Sequence, residues 1–142
     1  MADMETLRAG VRNSLPEIEE IQDPVLRDQV VEAWALALSE TEFERIEDIP
    51  PTGIPGSPAM LRGTQADHCR GVATMALGLV DGLERALGPI QVNRDILIAS
   101  GLLHDVGKPY EFSRGTSSVG APIRAPWATH RSVTRFTVST SR

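Results

Sequence analysis

The chain has 142 residues and a formal net charge of -5, and 41% of its residues are hydrophobic while only 4% are aromatic. This length and composition suit one globular domain with aliphatic helix faces in its core. They exclude two full domains, a collagen-like repeat and a wholly disordered chain. The acidic balance also argues against a general nucleic-acid-binding protein, because affinity for phosphate backbones depends mainly on lysine and arginine.

The cysteine content and the N-terminus indicate the compartment. Cys69 is the only cysteine, so the chain has neither an intramolecular disulfide nor a cluster of thiolate metal ligands. The N-terminus is acidic where a signal peptide needs a basic and an apolar region, and no window approaches 18 uninterrupted apolar residues. We therefore predict a cytoplasmic protein with no membrane partner, and we interpret Cys69 as a free thiol without a role.

An N-terminal helical arm is predicted over residues 1–49. Asp23 is a good N-cap and Pro24 suits the first helical position. The apolar residues that follow recur at three- and four-residue spacing: Val30, Ala33, Trp34, Ala37 and Leu38. The polar, solvated side of this helix is assigned to Glu40, Glu42, Glu44 and Glu47. The helix must stop before Pro50, where residues 50–63, rich in proline and glycine, predict a surface connector.

A second helix is predicted at the start of a helical core over residues 64–112. It begins near Thr64, with Asp67 in a capping-box-like pattern. Its apolar stripe consists of Val72, Met75, Ala76, Leu79, Val80, Leu83 and Leu87. We expect this stripe to face the interior together with His68, which lies one helical turn before Val72.

A third helix is predicted after Asn93, with Asp95 in its first turn. It is apolar on nearly every side, so we expect it to be buried until Gly107 and Pro109 close it.

Residues 113–142 form a segment of different composition, and we predict an irregular tail there. The tail has 11 serines or threonines, 5 arginines and no acidic residue, whereas residues 1–112 carry 9 basic and 19 acidic side chains. Such a break is expected of a truncated, alternatively ended or frame-shifted C-terminus, and the sequence leaves these alternatives open.

A candidate metal site lies at the end of the third helix, where His104, Asp105 and Lys108 follow an apolar run. Burial of charge is costly unless a partner compensates it, and imidazole with carboxylate suits a divalent metal ion. His68, 36 residues upstream, supplies a third ligand. Three ligands with open positions are typical of a catalytic metal that acidifies water and polarises phosphoryl oxygens.

His68 followed by His104-Asp105-Val106-Gly107-Lys108 resembles the HD-domain superfamily of metal-dependent phosphohydrolases, over roughly residues 60–112. The resemblance implies an all-α, HD-like helical bundle that hydrolyses a phosphomonoester, phosphodiester or nucleotide. It implies that His68, His104 and Asp105 bind a divalent cation, and that Asp105 and Lys108 are catalytic, with Lys108 near the substrate phosphate. Mn, Mg, Fe, Co, Ni and Zn all suit these ligands to differing degrees.

The chain departs from the family pattern at one ligand. Family members add an aspartate from a later helix, but no acidic residue follows Glu111 in this sequence. His130, a partner chain or nothing at all are the alternatives for the fourth ligand. Arg62, just before the helix of His68, is a candidate for binding a substrate anion beside the helix N-terminus.

Two hypotheses of different class follow. The first is a metal-dependent phosphohydrolase acting on a small phosphorylated substrate or nucleotide. The second is a non-catalytic helical module that binds a metal or nucleotide or mediates oligomerisation. Exposed aliphatic surface on so short a helical body would favour a homodimer.

Overall fold

The computed structural model describes residues 2–49 and 63–113. Both segments are helical and neither contains a β-strand, which confirms the all-α prediction. The described residues form five α-helices: α1 (Met4–Ser14), α2 (Pro24–Ser39), α3 (Gln65–Leu87), α4 (Arg94–Leu103) and α5 (Lys108–Phe112). Short 3-10 helices occupy Pro16–Glu20 and Ile46–Asp48. The predicted connector and tail lie outside the described residues, apart from Gly63 and Ser113.

The start of α2 agrees with the prediction. Asp23 is its N-cap and its carboxylate accepts hydrogen bonds from the backbone N–H groups of Val25 and Leu26. Asp95 of α4 holds the residues just before α2. Its carboxylate accepts hydrogen bonds from the backbone N–H groups of Gln22 at 3.0 Å and Asp23 at 2.8 Å. These two bonds join the N-terminal segment to α4 and hold the pKa of Asp95 below its usual value.

The end of α2 differs from the prediction, because the helix stops at Ser39 and does not carry the four glutamates. The hydroxyl of Ser39 donates to the carbonyl of Leu36, and the hydroxyl of Thr41 donates to that of Ala37. Such side-chain bonds compete with the backbone donors that would extend a helix. Three of the four glutamates instead accept hydrogen bonds from distant residues: Glu40 from Tyr110, Glu42 from Ser113 and Glu47 from Ser14.

Helices from both described segments share one hydrophobic core. Helix α1 packs along α2, α3 packs along α4, and α2 contacts α4 between these pairs. Trp34 of α2 is fully buried, and its indole N–H donates to the carbonyl of Leu102 at 2.9 Å. This bond satisfies one of the carbonyls that the last turn of α4 leaves without an intrahelical partner. Helix α2 therefore supports α4 immediately before the candidate metal ligands.

The buried face of α3 differs from the prediction: Val80 of the expected stripe is buried, but the side chain of His68 is 38% exposed. Met75, Leu79 and Leu87 of the expected stripe are 65–75% exposed, and Leu83 is 39% exposed. The residues that α3 buries are Gln65, Ala66, Cys69, Ala73 and Val80. Small side chains on this face let α4 approach closely, so helix packing and not hydrophobicity selects the buried face. The homodimer that would cover the exposed side chains stays a prediction.

Helix α4 begins after Asn93 as predicted, but it is not buried on every side. Ile98, Ala99 and Leu102 are buried, whereas Ile96 is 52% exposed. Gly107 and Pro109 do not close this helix, because it ends at Leu103 and Pro109 lies in the first turn of α5. Proline is favoured there, where its missing N–H has no intrahelical partner in any case. No helix of the described segments has the length and apolarity needed to cross a bilayer.

Candidate metal centre

Three side chains from two helix ends meet at one point of the surface. His68 lies in the first turn of α3, His104 is the C-cap of α4, and Asp105 follows in the turn before α5. The Nε2 atoms of His68 and His104 are 3.0 Å apart. Asp105 Oδ2 lies 3.3 Å from His68 Nε2 and 3.6 Å from His104 Nε2. Within the described residues, this is the group of three histidine, cysteine or acidic side chains able to hold a metal.

The spacing of these atoms fits a single divalent ion. A circle through three atoms separated in this way has a radius of about 1.9 Å, slightly less than the ~2.0–2.2 Å of metal bonds to imidazole nitrogen and carboxylate oxygen. One ion can therefore contact all three atoms without moving the helices. Two imidazoles and one carboxylate also form a donor set that binds several first-row metals with coordination positions left open.

The backbone of α4 determines which nitrogen of His104 is available. His104 Nδ1 lies 2.8 Å from the carbonyl oxygen of Gly101, and a carbonyl can only accept a hydrogen bond. Nδ1 therefore carries the proton, and in the neutral imidazole the lone pair of Nε2 is directed at the site. A histidine that donates its other N–H to a carbonyl is the usual arrangement of a metal ligand.

Close packing of α3 on α4 brings the two histidines together. A Cβ atom at Gly101 would lie 2.6 Å from Ala73 Cα and 2.9 Å from Ala73 Cβ, so the contact requires glycine at this position. Gly101 is three residues before His104, and Ala73 is five residues after His68. The helix contact therefore lies within about two turns of both ligands and limits how far apart they can be.

The capping box at the start of α3 fixes the turn that carries His68. The Thr64 hydroxyl accepts from the Asp67 backbone N–H, while the Thr64 backbone N–H donates to the Asp67 carboxylate at 2.9 Å. This backbone bond, followed by the bond from the Thr64 hydroxyl, lowers the pKa of Asp67. Asp67 is thus a structural acid beside the site, as the sequence pattern predicts.

Gln65 is a neighbour of the site that the sequence analysis missed. It is 1% exposed, and its side-chain amide donates to Asp105 Oδ2 at 2.9 Å and lies 3.7 Å from Cys69 Sγ. A glutamine at the start of a helix gives no sequence signal of burial, and only the packing of α4 reveals it. Cys69 is fully buried, and this burial raises the pKa of its thiol to about 12. The thiol therefore stays protonated.

The remaining predicted site residues are not all described. Lys108 is buried at the start of α5, and its ammonium donates to Glu111 at 2.9 Å. Arg62 and His130 lie outside the described residues. The catalytic and substrate-binding roles of Lys108 and Arg62, and the ligand role of His130, stay predictions.

Comparison with known proteins finds a family match over the segment that contains the three candidate ligands. Residues 66–135 match the HD domain family. The chain carries an HD domain. The match includes His68, His104 and Asp105, and it confirms the family resemblance read from the sequence.

A curated relative also resembles the chain. Dihydroneopterin 2',3'-cyclic phosphate phosphodiesterase of Methanocaldococcus jannaschii is 36% identical over 104 residues, which are 68% of this chain and 39% of the relative. The chain thus spans about two fifths of the length of the relative it matches. No solved structure is a significant match.

Proposed function

We propose that this chain is a metal-dependent phosphohydrolase whose HD domain binds a divalent cation through His68, His104 and Asp105. The observation that carries the proposal is the convergence of the three ligand atoms within bonding distance of one ion. The family match and the phosphodiesterase named among the relatives support it.

The charge and exposure of the three proposed ligands suit a cation that also binds a substrate phosphate. A divalent ion held there supplies Lewis acidity toward a phosphoryl oxygen and acidifies water. The imidazoles are neutral when they ligate, and Asp105 contributes one negative charge, so the ligands leave part of the cation's charge uncompensated. This residual charge attracts an anionic ester. The side chains of His68 and His104 are 38% and 34% exposed, which leaves the site open to a substrate from solvent.

The proposed substrate class is a small phosphodiester, and 2',3'-cyclic phosphates are the first to test. The relative is named for the hydrolysis of such an ester, and this chain spans only part of that protein. We propose Lys108 and Arg62 as further phosphate-binding residues. The Lys108 ammonium donates to Glu111, a bond that a bound phosphate would share or replace.

The test combines metal content with activity on the purified, tag-free chain. We expect about one equivalent of divalent metal by elemental mass spectrometry, and hydrolysis of a nucleoside 2',3'-cyclic phosphate that a chelator abolishes. Asp105→Asn should lose both, because it removes the single anionic ligand at almost constant volume. Asp81→Asn is the matched control: it makes the same chemical change on α3 at an exposed side chain paired with Arg94, and it should keep both.

Two results would contradict the proposal. If Asp105→Asn retains the metal, the ion is bound elsewhere. If the wild-type chain binds metal but hydrolyses no phosphomonoester, phosphodiester or nucleotide, the alternative of a non-catalytic helical module replaces the enzyme.

A further inference from the structure

Gln65 occupies a position from which it can control the anionic ligand. Its Nε2 donates to Asp105 Oδ2 at 2.9 Å, and this is the same oxygen that faces both histidine nitrogens. The side chain comes from α3, whereas Asp105 follows α4, so the bond crosses the contact between the two helices. Gln65 is also among the few polar side chains that the described residues bury.

We infer that Gln65 is a positioning residue that holds the Asp105 carboxylate in the orientation needed for metal binding. This inference rests on the proposed metal site. Hydrogen-bond donors behind a ligating carboxylate fix its direction, and their loss typically lowers metal affinity 10–100-fold.

The direction of the glutamine amide follows from its partner. A carboxylate only accepts hydrogen bonds, so the N–H₂ end of Gln65 must face Asp105, since the carbonyl end would repel it. Burial keeps water from replacing this donor, because Gln65 is 1% exposed. Asp105 Oδ2, the oxygen that faces the two histidines, thus also accepts a hydrogen bond from a donor that solvent does not reach.

A neutral donor suits this position better than a charged one. Arginine or lysine would bond Asp105 more strongly, but it would also neutralise the carboxylate and repel an incoming cation. Glutamine orients the carboxylate and leaves its full negative charge available to the metal. The choice of residue therefore matches a role in cation binding better than a role in stability alone.

The test measures metal affinity in a variant that removes the donor but keeps the shape. Gln65→Met has a similar length and no N–H, and we expect its dissociation constant for Mn²⁺ or Co²⁺, measured by competition with a chromophoric chelator, to rise about 10–100-fold. The visible absorption of bound Co²⁺ should also change, because the geometry of its carboxylate ligand changes. Gln65→Leu provides a second variant, and circular dichroism checks that each is folded.

Cys69→Ala is the matched control for packing. It removes Cys69 Sγ, which accepts a long, weak hydrogen bond from Gln65 Nε2, but leaves the bond from Gln65 to Asp105 in place. We expect it to lower the melting temperature and to bind metal with the wild-type dissociation constant. A folded Gln65→Met or Gln65→Leu variant with wild-type metal affinity overturns the inference. So does an equal loss of affinity in Cys69→Ala, since packing would then explain the effect.

The experiment separates this inference from the proposed function. A wild-type chain that binds no divalent metal refutes the proposed function itself. Metal binding that Asp105→Asn abolishes but Gln65→Met leaves unchanged refutes only the role of Gln65.

Discussion

Replacement of Gly101 by alanine tests whether the contact between α3 and α4 sets the geometry of the proposed metal site. The added Cβ would lie 2.6 Å from Ala73 Cα, whereas ordinary contacts begin at 3.4 Å. The helices must therefore separate by about 0.8 Å or more at this point, which is of the order of the difference between a bonding and a non-bonding metal distance. Both partners of the clash are backbone or Cβ atoms, so no side-chain rotation relieves it.

The expected cost of this replacement has two parts. Overpacking of this kind typically removes about 1–3 kcal/mol of stability, which at about 4 °C per kcal/mol lowers the melting temperature by roughly 4–12 °C. Separation of His68 from His104, now 3.0 Å apart at Nε2, should also raise the dissociation constant of the metal about tenfold or more.

A matched glycine on α3 provides the control for this prediction. An alanine at Gly78 would meet nothing within 4 Å, so Gly78→Ala should stabilise α3 by about 0.5–1 kcal/mol and leave metal affinity unchanged. The measurements are thermal unfolding followed by circular dichroism and a metal competition titration. If Gly101→Ala is as stable as the wild type and binds metal equally well, the close helix contact does not control the site.

Two further predictions concern the bonds that join the N-terminal segment to α4. Trp34→Phe keeps an aromatic ring but removes part of the buried indole and leaves the carbonyl of Leu102 without its donor, so we expect a loss of at least about 1–3 kcal/mol in the free energy of unfolding by urea. An unchanged value would mean that the carbonyl finds another partner and that the core closes around the smaller ring. Asp95→Asn should make stability less sensitive to acid. In the folded protein the pKa of Asp95 lies below its usual value of 3.8. The ionised carboxylate therefore stabilises the folded state at pH values above the usual pKa, and this stabilisation is lost as the pH falls through the pKa of the folded state. Between about pH 5 and pH 2 the wild type should therefore lose more stability than Asp95→Asn, and parallel losses would contradict this.

Local signals in the sequence predicted the helix starts and the side chains that converge at the candidate metal site. Asp23, Thr64 and Asn93 are N-caps where expected, because capping depends on bonds to residues two or three positions away. The candidate ligands His104 and Asp105 could be singled out for a similar reason. His104 and Asp105 are adjacent in the chain. A pair of ionisable residues at the end of an apolar helix is unusual, because burial of charge is costly unless a partner compensates it.

The packing of one helix on another was not predictable from the same signals. The stripe with Met75 and Leu79 is the more hydrophobic face of α3, yet the face with Cys69 and Ala73 is buried, because its small residues permit contact with Gly101. The burial and bonding of Gln65 were not predictable from its neighbours in the chain, because its partner Asp105 is 40 residues away. Pairings over such distances depend on the fold, and a single sequence does not encode them in any local pattern.

The bond between Trp34 and the end of α4 has a consequence for how the protein can be divided. The family match begins at residue 66, after α2 and also after the cap Thr64 and Gln65. A fragment cut at that boundary would lack Trp34 and the other residues of α1 and α2 that share a buried core with Ile98 and Leu102. A family match depends on the conserved motif residues, whereas independent folding of a fragment depends on the apolar surface that it buries. In this chain we expect the smallest fragment that folds to begin well before residue 66, where the family match begins.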